Sequence, residues 1–330
     1  MIAVLIINHG TIAATRACIE SVLAQGIADL RVFLLDNGSA PHEVDALAEL
    51  AARQPAIVFD ASAANLGFAA GMNRLLERAL AEAAVSEVVL LNSDTLPAPG
   101  AIAALRAAVD RAASVDMVAA NLRTPRGEAV DSLGITLYRS TLASNRKRED
   151  EVLLGPSGGC ALLTRRLLED LRASHGECFD EAFFCYAEDT DLVLRARWLG
   201  YGAAYAADAV VYHEGSLSSG GPGNDFVLYH GIRNSLWWLV KSAPGLWFVL
   251  SLPWFVVLHG GIVLRHLRRG RARILWRLYR DAIKGLPAML RKRRVIRAAR
   301  RVPAATFRAW VEPRFYERDY VRRAWKELWQ

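Results

Sequence analysis

The chain has 330 residues, 53% of them hydrophobic and 23% charged, which gives material for about two domains with a full core and excludes an intrinsically disordered protein. Glycine (24) and proline (12) stand near average usage, so collagen-like and low-complexity classes are excluded too. The net charge of +7 is unevenly divided: residues 1–230 hold 18 Lys and Arg against 29 Asp and Glu, a balance of −11, whereas residues 231–330 hold 23 against 5, a balance of +18. Such asymmetry suggests an acidic part that does chemistry and a basic part that meets a polyanion or an anionic membrane.

Met1 to Ile7 lacks the basic start of a signal peptide and reads as a buried strand ended by Asn8-His9-Gly10. A helix follows over about residues 12–25, with Ile19, Val22 and Leu23 on one face. The next apolar run, Leu30 to Leu35, ends in Asp36-Asn37-Gly38-Ser39, and Pro41 opens a second helix. Ile57 to Phe59 is a short strand before Asn65-Leu66-Gly67 and a helix through Leu75, Leu76 and Leu80. Val88 to Leu91 then ends in Asn92-Ser93-Asp94, and a helix at about 99–112 precedes the run Met117 to Ala120.

This alternation predicts an α/β fold with an open, mostly parallel, doubly wound sheet. Ligands bind such sheets outside the carboxyl ends of the strands, where the polar loops converge. No G-x-G-x-x-G follows the first strand, which argues against a dehydrogenase.

Farther along, Arg146 to Asp150 reads as a solvated charge run, and Pro156-Ser157-Gly158-Gly159 as a tight turn where backbone can approach a ligand. Glu188-Asp189-x-Asp191 opens a helix that runs to Leu199, just after the aromatic run Phe183 to Tyr186. Acids in a first helical turn complement the helix dipole. Three carboxylates in four positions beside aromatic walls would also repel one another and raise at least one pKa, as a general base near neutral pH requires. Ala203 to Tyr212 reads as a strand ending at His213, and Ser216 to Gly223 as a flexible loop. Cys18, Cys160, Cys178 and Cys185 have no metal-ligand spacing and fit a reducing compartment.

In order, Ile6-Ile7-Asn8, Leu34 to Ser39, Asn65-Leu66-Gly67 with Gly71 and Asn73, Leu91 to Asp94, Ser157-Gly158-Gly159, Phe179 to Leu192, Gly200 and His213 resemble family 2 glycosyltransferases, over about residues 2–240. The set is most similar to the rhamnosyltransferase-like branch. The resemblance implies a GT-A fold and inverting transfer from a nucleotide-diphospho-sugar, with dTDP-rhamnose as donor. It implies that Asn8, His9, Asp36, Asn65, Asn73 and Asn92 shape the donor pocket, with Arg233 adding charge near the diphosphate. Asp94 and His213 would hold a divalent metal, Mg²⁺ or Mn²⁺, and Asp189, paired with Glu188, would be the catalytic base. Gly158, Gly159 and Asp191 are assigned to a glycan or polyprenyl-linked acceptor. Two features depart from the family pattern: Asn92 replaces the first acid of D-x-D, and His9-Gly10 replaces Tyr-Asn. A metal-dependent nucleotidyltransferase and a non-catalytic sugar-binding protein are the competing readings.

Leu246 to Leu264 is long enough to span a bilayer, but Pro253, His259 and Gly260-Gly261 fit a shallow or re-entrant segment equally well. A buried core helix is the third option. Trp237, Trp238, Trp247, Trp254 and Trp276 suit a headgroup belt, and Arg265 to Arg301 reads as helices on an anionic leaflet rather than a nucleic-acid site. The expected organisation is a catalytic domain at 1–230 and a mainly helical, basic, membrane-associating region at 231–330. By the positive-inside rule, both lie at the cytoplasmic face of the inner membrane.

Overall fold

Residues 1–111, 114–215 and 224–318 are described by a computed structural model; the expected loop Ser216–Gly223 lies outside them. The first strands and helices alternate: β1 (Ile2–Asn8), α1 (Ile12–Leu23), β2 (Leu30–Asn37), α2 (Pro41–Arg53), β3 (Ile57–Ser62), α3 (Gly67–Ala81) and β4 (Glu87–Asn92). Next come β5 (Thr95–Pro97), α4 (Ala101–Asp110), β6 (Val115–Arg123), β7 (Val130–Ser132), β8 (Ile135–Tyr138) and β9 (Ala143–Asn145). β10 (Cys160–Thr164), α5 (Arg165–His175), α6 (Glu188–Trp198) and β11 (Gly202–His213) complete the acidic part. The basic part holds α7 (Asp225–Ser242), α8 (Gly245–Arg268), α9 (Ala272–Ala299) and β12 (Val311–Glu312).

The main sheet runs β3-β2-β1-β4-β10-β6-β11-β5, with β7 beside β6. β3, β2, β1 and β4 are mutually parallel, as are β6 and β11, while β10 is antiparallel to both its neighbours. No crossover helix precedes β10, so its chain starts from the rim where β4 ends, and Cys160 pairs with Leu91. Both faces are covered. Ile2, Val4 and Ile6 pack with Cys18, Ile19 and Val22, while Ala3 and Leu5 pack with Met72, Leu75 and Ala79. That two-residue period, apolar on both faces, is why β1 is a continuous hydrophobic run.

The expected boundary at 230/231 falls inside α7. The basic part also returns to the acidic part: β12 pairs with β8 in a second sheet, and Trp198 stacks on Phe307 with ring centroids 5.6 Å apart. One expectation is corrected. Arg146 does not sit in a solvated loop; it is buried, with Nε donating to the Glu151 carbonyl (2.9 Å) and the guanidinium over Tyr205. Its planar head satisfies carbonyls of a tight turn, which a charge count does not reveal. Of the three readings of Leu246 to Leu264, the buried core helix is set aside, since most of the apolar stretch is exposed.

Candidate active site

The ends of β1, β2 and β4, the start of β10 and the turn before α6 enclose one cavity of about 520 Å³. His9, Asn65, Asn92, Asp94, Gly158, Gly159, Glu188, Asp189 and His213, all expected site residues, line it together with Asn37 and Asp131. Gly38 and Gly67 permit this closure. Both have positive φ (81° and 80°), and a Cβ would meet Asn65 N at 2.6 Å and the Phe184 ring at 2.5 Å, respectively.

On one side, Asn65 Nδ2 lies 3.1 Å from His9 Nε2, and His9 Nδ1 lies 3.0 Å from the Asn37 carbonyl. An amide donor at Nε2 and a carbonyl at Nδ1 select the neutral tautomer with its proton on Nδ1. The imidazole is thereby fixed as a flat wall.

Asp94 and His213 come together because β5 pairs with β11, setting Thr95 against His213. His213 Nδ1 lies 2.6 Å from Asp131 Oδ2, and its Nε2 lies 3.3 Å from Asp94 Oδ1. Burial opposes the imidazolium, yet bonding to Asp131 and Asp94 outweighs it and raises the histidine pKa to about 9. At that pKa both ring nitrogens carry protons, Nδ1–H toward Asp131 and Nε2–H toward Asp94, and a cation between Nε2 and Asp94 would take the place of the second proton. The pair therefore fits a divalent ion. Among the described residues no cluster of three or more His, Cys, Asp or Glu forms a metal cage. Two protein ligands suit a cation that takes its remaining oxygens from phosphates. Asp131 escaped sequence reading because Val130-Asp131-Ser132 carries no motif.

On another side, Asp189 Oδ2 accepts from Gly158 N at 2.9 Å, and Oδ1 accepts from Thr190 N at 2.6 Å. Burial raises the Asp189 pKa despite these bonds. Glu188 is buried, its Oε2 has no hydrogen-bond partner among the described residues, and burial followed by the charge on Asp189 pushes its pKa well above the usual range. In the folded protein Glu188 therefore holds its proton to higher pH than in the unfolded chain, and stability falls as pH rises from about 4.5 through the folded pKa. Glu188→Gln is expected to stabilise the fold at pH 8 by on the order of 1 kcal/mol and to have little effect at pH 4. Thermal melts across pH would show a constant difference if the carboxylate were not the cause.

The turn carrying this pair is strained: Phe184, Tyr186 and Ala187 have φ of 65°, 69° and 62°. Asn234, fully buried on α7, holds it by donating through Nδ2 to the carbonyls of Phe183 (2.9 Å), Cys185 (2.9 Å) and Tyr186 (2.7 Å). Sequence reading missed Asn234, and its only signal was the neighbouring Arg233.

Five expected site residues do not line the cavity. Asn8 and Asp36 are fully buried and bonded to each other (2.7 Å), and Asp36 also accepts from Ser39 N (3.0 Å). They shape the turns that carry His9 and Asn37. Asn73 ties down Phe179 through both its N and its O (2.9 Å each). Arg233 is buried against Tyr229 and Trp237 and donates to the Phe183 carbonyl (3.1 Å), so it braces the strained turn rather than facing a diphosphate. Asp191 is turned inward by helical periodicity and pairs with Arg195 (2.8 Å) and Lys241 (2.7 Å), away from any acceptor.

A family model described as "Glycosyltransferase like family 2" matches residues 1–226. Among solved structures, the chain resembles the mannosyltransferase PcManGT from Pyrobaculum calidifontis in complex with GDP-Man and Mn2+. The TM-score is 0.54 at 16% identity, covering 90% of this chain and 85% of that one. It also resembles GalNAc-T7 with UDP, GalNAc and Mn2+, with a TM-score of 0.60 at 15% identity, covering 86% of this chain and 55% of that one. The chain thus spans little more than half of GalNAc-T7. No curated protein matches the chain. The neighbours are GT-A glycosyltransferases, and the fold is GT-A, with a curled mixed sheet and a helical C-terminal region.

Proposed function

Because the chain belongs to glycosyltransferase-like family 2, we propose that it moves a sugar from a nucleotide-diphospho-sugar to a hydroxyl of a glycan or polyprenyl-linked acceptor, inverting the anomeric carbon. The ordered motifs favour dTDP-rhamnose as donor and cell-surface polysaccharide as product. The observation that carries this reading is one cavity whose wall holds both Asp94 with His213 and Glu188 with Asp189.

In this reading Asp189 takes the acceptor hydroxyl proton as that oxygen bonds to the anomeric carbon. The bond from that carbon to the diphosphate breaks, and the nucleoside diphosphate leaves with the electron pair. The Gly158 amide and Thr190 orient the base, and burial raises its pKa. His9, Asn37 and Asn65 wall the nucleoside end. Asp94 and His213 would hold a divalent ion such as the Mn2+ of the two neighbours, whose chemistry here is to neutralise charge on the departing diphosphate. A panel of nucleotide-sugars with Mg²⁺ or Mn²⁺, scored by nucleoside diphosphate release, tests the proposal. One donor should be turned over, with a loss of at least about tenfold on chelation. Silence from every donor with either metal overturns the reading.

The same proposal places the basic part at the cytoplasmic face of the inner membrane. α8 is inverted for a soluble helix: Ser251 and His259 are buried, whereas Leu246, Leu250 and Val257 are 74%, 66% and 61% exposed. Arg265, Arg268 and Arg269 follow at its end, a pattern suited to an anionic leaflet. Liposomes containing anionic lipid should retain the protein at low salt, and neutral liposomes should retain it less. Equal indifference to both would remove the membrane assignment.

A further inference from the structure

A chamber of about 220 Å³ lies between the end of α7, the start of α8 and the end of α9, and it shares no wall residue with the donor cavity. Ser242, Gly245, Leu246, Arg293, Arg297 and Arg300 belong to its wall. The arginines here differ from their neighbours in the chain. Lys292, one residue before Arg293, bonds Glu177 (2.6 Å) and Asp180 (2.5 Å), and Arg301, one residue after Arg300, bonds Asp170 (2.5 Å). Arg293, Arg297 and Arg300 have no carboxylate partner among the described residues. Arg293 donates to the Val240 carbonyl (2.6 Å), and Arg300 lies over the Trp198 ring. Burial, followed by the charge on Arg297, lowers the Arg293 pKa, as cations converging without an acid require. A basic residue in the last turn of α9 complements the helix dipole, which accounts for Arg297 alone.

Two further observations point to a ligand. α8 begins at Gly245, and no side chain caps its first amides. Ser242 is 5% exposed, and its hydroxyl has no hydrogen-bond partner among the described residues. Guanidinium forks, a hydroxyl and the amides of a helix start are together the donors that a tetrahedral oxyanion takes. At less than half the volume of the donor cavity, the chamber is too small for a nucleotide-sugar. We infer that it binds the phosphate of a phosphomonoester, held by Arg293, Arg297 and Arg300 and accepting from Ser242 and the first amides of α8. A soluble ester and a lipid headgroup supply the same phosphate; Leu246, exposed on the wall, would lie beside the chain of the latter. The site rests on neither the transferase reading nor the membrane assignment.

Calorimetric titration of the full chain with glycerol 3-phosphate, in the presence of a chelator and with glycerol as control, tests the site without turnover. The phosphate ester should bind and glycerol should not. Arg297→Ser/Arg300→Ser should weaken binding at least about tenfold, and Ser242→Ala about tenfold, whereas Arg53→Ser, on exposed α2, should not change it. Gly245→Asp keeps the test decisive if those variants misfold. No atom lies within 4 Å of where its Cβ would stand, and an acid in the first turn suits the α8 dipole. The variant should therefore fold, with its carboxylate occupying the site. Phosphatidylcholine vesicles carrying phosphatidate identify the source. For a lipid headgroup, Gly245→Asp lowers retention on them by about tenfold; for a soluble ester, retention is unchanged while glycerol 3-phosphate binding is lost. Either loss supports the phosphate site. Unchanged retention together with absent or unchanged glycerol 3-phosphate binding overturns it, because any phosphate bound would then lie elsewhere. Turnover of a nucleotide-sugar, or its lack, alters none of these outcomes.

Discussion

Asp189→Asn is expected to lower kcat by about 10²–10⁴-fold, the range for loss of a positioned general base, while donor binding persists. The exchange is nearly isosteric, so the loss would come from proton affinity. Asparagine retains one oxygen for the Gly158 or Thr190 amide and presents an NH₂ to the other, so a modest fall in stability accompanies the change. Activity of the native enzyme should rise with pH as the Glu188–Asp189 pair gives up its protons, with an acid limb displaced above the usual carboxylate range, because burial raises both groups. Steady-state kinetics across pH, alongside donor affinity measured directly, would separate the roles. Retained turnover in the variant would remove Asp189 as base, and loss of donor binding instead of kcat would make it a positioning residue.

Lys241→Met is expected to destabilise the protein by about 3–5 kcal/mol at pH 7, the cost of leaving buried charge uncompensated. Lys241 is 2% exposed and bonds Asp180 at 2.5 Å and Asp191 at 2.7 Å, both fully buried. Arg195 completes the pair with Asp191, and Lys292 from α9 reaches Asp180 (2.5 Å) and Glu177 (2.6 Å). The basic helices are thus locked to α6 two residues beyond Asp189. Burial opposes ionisation of Asp180, but Lys241 and Lys292 prevail and hold its pKa at about 2. A depressed carboxylate contributes stability above its unfolded pKa of 3.8, and this is lost as pH falls toward 2. In Lys241→Met, protonating a carboxylate relieves the excess charge, so the deficit should shrink as pH falls toward 4. Urea titrations at pH 7 and pH 4.5 would test this; an equal deficit at both would assign the loss to packing.

The parallel strands were legible because β1, β2 and β4 are apolar on both faces, and only a sheet covered by helices buries such runs. Antiparallel β10 was not legible as such. Five apolar-rich residues bounded by a turn and a helix state no direction, and the pairing of Cys160 with Leu91 comes from where the chain re-enters the rim. The second sheet stayed hidden because the two residues of β12 carry no periodicity.

The sequence by itself determined that the parallel strand ends meet at one rim, which put His9, Asn65, Asn92 and Asp94 together, and the family resemblance added Gly158, Gly159, Glu188, Asp189 and His213 to the same cavity. Tertiary structure alone decided that Asn8, Asp36, Arg233 and Asp191 face inward, that Asn73 turns to Phe179 instead of the cavity, and that Asp131 and Asn234 join the site. Spacing along a chain fixes which loop a residue occupies. The direction of a polar side chain depends on whichever buried partner, far away in sequence, satisfies it.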